Sequence, residues 1–234
     1  MTETIRRFLA QKLGGMGTCI AFVLLAVLSA LLLQSGRPGM TILVVILLSA
    51  GIVSRDARSG ALQMILSRPI LRVEYLLGRY VGVLTGLAAF LLLSFGLAVG
   101  LDRVNALAGW GPSSFAWRDA LETSAAAFPR GALDAAIILL FSTFLRGFGD
   151  VLAYVLSYVV LSVAPQIGMA LGKPGIVRVF RGAMDNLAPA PDWGPVLRGG
   201  VLHPGFSRYA LALTGYILLA ALVFNRRELS YGTD

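Results

Sequence analysis

Apolar residues in this chain come in long, nearly uninterrupted runs parted by short polar stretches. Runs of that kind cover every face of a helix, which suits a segment surrounded by lipid or by other helices. Six can be drawn, over residues 16–34, 40–53, 75–101, 131–145, 151–171 and 209–224. The first, third and fifth reach the ~20 residues that a bilayer requires, whereas the second and fourth are short enough to be re-entrant or buried segments. The predicted fold is an all-α, six-span polytopic membrane protein forming one domain over residues 1–234. The chain shows no repeat, low-complexity tract or soluble domain.

Three shorter segments show helical rather than continuous patterning. In residues 1–15, Ile5, Phe8, Leu9 and Leu13 share one face while Arg6, Arg7 and Lys12 lie elsewhere. This predicts an amphipathic helix in the membrane interface, followed by an elbow at Gly14, Gly15 and Gly17. Residues 173–187 place Ile176, Phe180, Ala183, Met184 and Leu187 opposite Arg178, Arg181 and Asp185, as expected for an external interfacial or re-entrant-like helix before the last span. The third is residues 54–69, where a ridge of Ala61, Leu62, Ile65 and Leu66 runs between charges. Ser54 suits its N-cap, Asp56 suits the positive end of the helix dipole, and Pro69 ends it. Residues 102–130 form a mixed-charge loop in this reading, with Trp110 and Trp117 at headgroup level.

Composition strengthens the membrane assignment. The 234 residues are 57% hydrophobic and only 14% charged, too few charges to cover a soluble surface. A single cysteine, Cys19, excludes a disulfide framework, and a single histidine, His203, excludes a polyhistidine metal site. The net charge of +8 follows from 20 Lys and Arg against 12 Asp and Glu, and no nucleic acid is needed to explain it. Cationic loops orient membrane proteins and hold anionic headgroups. Eleven of these cations fall in or beside segments 1–15, 54–74, 146–150 and 225–234, which places both termini in the cytoplasm of a cell with this chain in its inner (plasma) membrane. The first run is too long for a signal-peptide core and no A-x-A-like site closes it, so it is read as a retained span.

Enzymatic chemistry finds little support. "GMALGKPG", from Gly168, has the wrong spacing for a phosphate-binding loop and carries Pro174 where Ser or Thr must reach magnesium. His203 lacks a G-x-S-G partner for a serine protease. The chain is therefore not an enzyme by itself. Asp134, in the fourth run, follows Arg130 by one helical turn, so a salt bridge at the interface accounts for it. A proton- or ion-carrying role is the alternative. Gly78, Gly82 and Gly86 form two consecutive G-x-x-x-G steps, a face that lets helices approach closely, either within the bundle or between two copies.

Around the ridge the residues resemble a family. Asp56, Arg58, Gly60, Ala61 and Leu62, followed by "ILSRPILRVEYLLGRY" from Ile65 to Tyr80, look like the first cytoplasmic loop of ABC-2 type transporter permeases. "FNRREL", Phe224 to Leu229, resembles the end of such permeases. Asp56 stands where the family usually has Glu, and Ala61 where Thr is common. The resemblance implies that residues 54–69 form a coupling helix, with Arg55, Asp56, Arg58, Gly60, Ala61, Leu62, Ile65, Leu66, Arg68 and Pro69 meeting a groove of a separate ATPase subunit. That subunit would bind ATP and magnesium, leaving no cofactor in this chain, and the permease would pair with a second copy or homologue to act as an exporter. A presented apolar ridge also fits a partner groove on physical grounds alone. Two other readings stand beside this one: an ion- or proton-coupled secondary transporter that requires Asp134, and a membrane scaffold that only recruits a partner.

Overall fold

The computed structural model describes residues 2–35, 39–50, 72–108, 116–145, 149–189 and 204–226. Among these residues the chain is helical, without a strand. In order, the helices are α1 (Thr2–Leu13), α2 (Met16–Gln34), α3 (Thr41–Ser49), α4 (Arg72–Leu107), α5 (Trp117–Phe144), α6 (Gly149–Ala170), α7 (Pro174–Leu187) and α8 (Pro204–Arg226). Five of them, α2, α4, α5, α6 and α8, are long and apolar enough to cross a membrane.

The layout differs from the six-run reading in three places. The second run becomes α3, nine residues long, about 14 Å at ~1.5 Å per residue and well short of a ~30 Å hydrocarbon core. The fourth run begins fourteen residues earlier than expected, because α5 already starts at Trp117. Arg118, Asp119, Glu122 and Pro129 look like loop punctuation, yet the intervening alanines and leucine favour a helix. Pro129 sits inside α5 and, lacking an N–H, leaves the Ala125 carbonyl without its intrahelical donor. The turn that follows is tied to neighbouring helices, with Tyr209 donating to the Pro129 oxygen at 2.7 Å and Tyr80 to the Ala132 oxygen at 3.0 Å. The third run also lengthens, since α4 covers 36 residues and carries Asp102 and Arg103 past its apolar part. The expected 102–130 loop is thus mostly the ends of two helices. At one of them the Arg118 guanidinium lies 5.4 Å from the centre of the Trp117 ring.

α4 occupies the middle of the bundle, with α1, α2, α3, α5 and α8 all packed against it. Helices in lipid gain little from hydrophobic burial against one another, so close fit and interhelical hydrogen bonds decide the arrangement. The glycine face of α4 supplies that fit. A Cβ at Gly82 would lie 2.5 Å from the Phe8 ring of α1, and one at Gly86 2.9 Å from Leu48 of α3. Gly131 of α5 receives Leu87 in the same way, at 2.6 Å. Phe22 of α2 meets Phe90 of α4 edge to face at 5.6 Å, and Gln34 donates to the Ala98 oxygen at 3.2 Å.

α1 does not simply lie on a surface. Phe8 is fully buried and belongs to the main apolar cluster, and the helix contacts both α2 and α4. The elbow expected after it is present at Gly14 and Gly15, while Gly17 is already inside α2.

α6 and α7 form a separate hairpin on the flank of α5. Gly172 adopts a left-handed conformation at φ 62°, which glycine reaches without a Cβ clash. The Lys173 amide bonds the Gly168 carbonyl at 2.9 Å and the Gly172 amide bonds that of Met169 at 3.1 Å. This pair of bonds ends α6 and reverses the chain. α7 then lies back on α6, with Ile176 over Gly168, and turns Arg178, Arg181 and Asp185 outward. The face division expected for residues 173–187 matches this helix, except that Leu187 is exposed.

Candidate functional site

Residues 54–69, and with them Arg55, Asp56, Arg58, Gly60, Ala61, Leu62, Ile65, Leu66, Arg68 and Pro69, lie outside the described residues, as do residues 227–234. The described chain shows instead what holds the two roots of that segment. On its N-terminal side, the Lys12 ammonium of α1 donates to the carbonyl of Ala50, which caps α3. On its C-terminal side, Arg72 opens α4 and donates to the Asn225 carbonyl near the end of α8 at 3.1 Å. The carbonyls at a helix C-terminus carry partial negative charge and lack intrahelical donors, so a cation is their natural partner.

One turn further into α4 the second root is braced by a cluster of rings. Tyr75 stacks on Phe224 of α8 with centroids 6.0 Å apart. Arg79, one helical turn on, places its guanidinium 5.4 Å from the centres of both the Phe8 and Tyr75 rings. Arg79 is only 6% exposed. Its cationic face therefore ties α1 to α4 through ring electrostatics in a water-poor setting, where such contacts are strongest. Lys12 and Arg79, two of the cations counted in or beside the expected cytoplasmic segments, are both buried in contacts within the chain. The Tyr75–Arg79 spacing of four was the available signal for one of these contacts, but nothing in sequence joined either residue to Phe8 or Phe224.

The three small residues Gly78, Gly82 and Gly86 lie on one side of α4 and are all buried, with Gly82 and Gly86 facing α1 and α3 of the same chain.

Asp134 stands elsewhere, in a cavity of about 270 Å³ between α5, α6, α7 and α8. Because α5 begins at Trp117, Asp134 is not near the start of its helix but ten residues before Phe144, about 15 Å along the axis. It is half-buried, while Arg130 is exposed one turn earlier and close enough to attract it. The Tyr154 hydroxyl of α6 leans towards the Asp134 carboxylate without closing a hydrogen bond, and Tyr154 stacks on Tyr158 with centroids 6.5 Å apart. Sequence had singled out Asp134, but the tyrosines that share its cavity come from a different helix and carried no signal.

No family model, no curated protein and no solved structure matches this chain. The described structure is that of an all-helical protein with five candidate membrane-crossing helices, compatible with a multi-pass membrane protein.

Proposed function

We propose that this chain is the permease subunit of an ATP-driven exporter, moved by a separate ATPase that docks on residues 54–69. One observation carries the reading beyond its resemblance. The two stretches with permease-like residues, around Tyr75 to Tyr80 and from Phe224 onward, meet in space through the Tyr75–Phe224 stack and the Arg72–Asn225 hydrogen bond. Residues far apart in sequence thus build one mount at the start of α4, where the chain emerges from the proposed coupling segment. A motor-driven segment needs such a mount, because a docked subunit can transmit a movement only through roots that do not yield.

In this reading α1 and both termini face the cytoplasm of a cell whose plasma membrane holds the chain. Two permeases work with two ATPase subunits, and ATP and magnesium stay on the partner. α7 lies in the outer interface before the last span. The test is ATP turnover by the complex purified from membranes with its tightly bound partners. Leu62→Glu or Leu66→Glu is expected to abolish ATPase association and turnover while the chain still inserts. Absence of any ATPase among the bound partners overturns the proposal. A carrier reading gains support from the placement of Asp134 within an apolar cavity, and it requires transport by the purified chain without ATP.

A further inference from the structure

We propose that the cavity around Asp134 is a binding site for a lipophilic amine: an apolar body carrying one protonated nitrogen. The cavity is walled mainly by apolar side chains, among them Leu133, Ile137, Leu161 and Met184, which suit a hydrocarbon body. Its polar groups are few and converge. Asp134 presents a carboxylate from α5, and Tyr154 presents a hydroxyl from α6. Tyr154 is 4% exposed, and its buried hydroxyl faces the Asp134 carboxylate without a well-formed hydrogen bond. The two groups therefore form one polar pair in an apolar wall, which a donor placed between them can engage together.

The sign of the ligand charge follows from the groups that face it. Arg130 also lines the cavity and attracts Asp134, but it is exposed and its charge is screened by water, whereas Asp134 is half-buried, so the carboxylate is the charge that a ligand inside the cavity meets at short range. The rings of Tyr154 and Tyr158, stacked on each other, line the same cavity. A carboxylate next to aromatic faces in an apolar wall selects a cation over an anion or a neutral alcohol. An ammonium can donate to Asp134 and to the Tyr154 oxygen together. Tyr216 of α8 closes the wall opposite by donating to the Leu187 carbonyl at 2.6 Å, which joins α8 to the end of α7.

This inference deepens the permease reading by naming a substrate class, and it rests on that reading for transport but not for binding. The test is equilibrium binding of radiolabelled dodecylamine to the full chain in phosphatidylcholine nanodiscs, with dodecanol as the uncharged control. Saturable dodecylamine binding that dodecanol does not displace is expected. Asp134→Asn should weaken it about tenfold, and Tyr154→Phe about threefold. Ser157→Trp, which fills the cavity and leaves the carboxylate in place, should abolish it and decides the matter if Asp134→Asn fails to fold. Equal binding of dodecanol, which is the behaviour of an acyl-chain site, overturns the inference. So does binding indifferent to Asp134→Asn or to Ser157→Trp. Amine binding by a chain that brings down no ATPase overturns only the permease reading; an ATPase complex that binds no amine overturns only this one.

Discussion

The bundle around α4 and the flank formed by α6 and α7 use similar residues to opposite ends. In α5 half of the most apolar stretch is buried and in α4 39%, whereas in α6 the share is 17% and in α8 11%. Yet α6 is the more apolar of the α5–α6 pair. Leu139 of α5 is fully buried, while Leu156 of α6 is 53% exposed. Apolarity therefore tells which segments can enter a membrane but not which of them meet protein. Small residues make that second choice: glycines at 82, 86 and 131 each admit a neighbour's side chain, while most of α6 turns its valines and leucines outward to lipid or to another chain.

The largest expected effect that separates the two regions is at Gly131. Gly131→Leu forces a side chain into space already held by Leu87 and Val45 and should destabilise the folded chain by about 3 kcal/mol or more. Thermal unfolding in mild detergent reads this, and an unchanged midpoint would show that the central packing is loose. Leu139→Ala opens a cavity in the same region and should lower stability by about 2–4 kcal/mol. Gly172→Ala acts on the hairpin through backbone strain alone and should cost about 1–2 kcal/mol, with α7 released by protease before the bundle unfolds. Leu156→Ala should change stability by less than about 0.5 kcal/mol. A loss several times larger in the native membrane than in detergent would instead place a partner on this face of α6.

Much of the architecture is legible in the sequence because a continuous apolar run has one physical meaning in a chain this poor in charge. Five of the six expected runs fall on long helices, and the amphipathic faces of α1 and α7 follow the expected residues with few exceptions. The failures share a cause. Charged residues and a proline in the first half of α5 look like a loop, since local chemistry shows neither the alanines' cumulative preference for helix nor the neighbours, Tyr80 and Tyr209, that hydrogen-bond to this helix. The site divides along the same line. Asp134 stands out in sequence because a carboxylate in an apolar run is costly, whereas Tyr154 is one of many aromatic residues until folding sets it opposite. The burial of Lys12 and Arg79 carried no such signal, since sequence does not show which carbonyl or ring will cover a cation.

The two roots of the segment beginning after Ala50 also close at different moments in the life of the chain. Lys12 and its acceptor are both present once the first fifty residues have been made. Arg72 must wait for Asn225, which emerges 153 residues later, roughly 8 to 30 s of synthesis at ordinary elongation rates. For that interval only the first root is fixed. The second root is therefore closed only when the last helix has been delivered, and a truncated product that lacks α8 would lack the Arg72–Asn225 bond and the Tyr75–Phe224 stack.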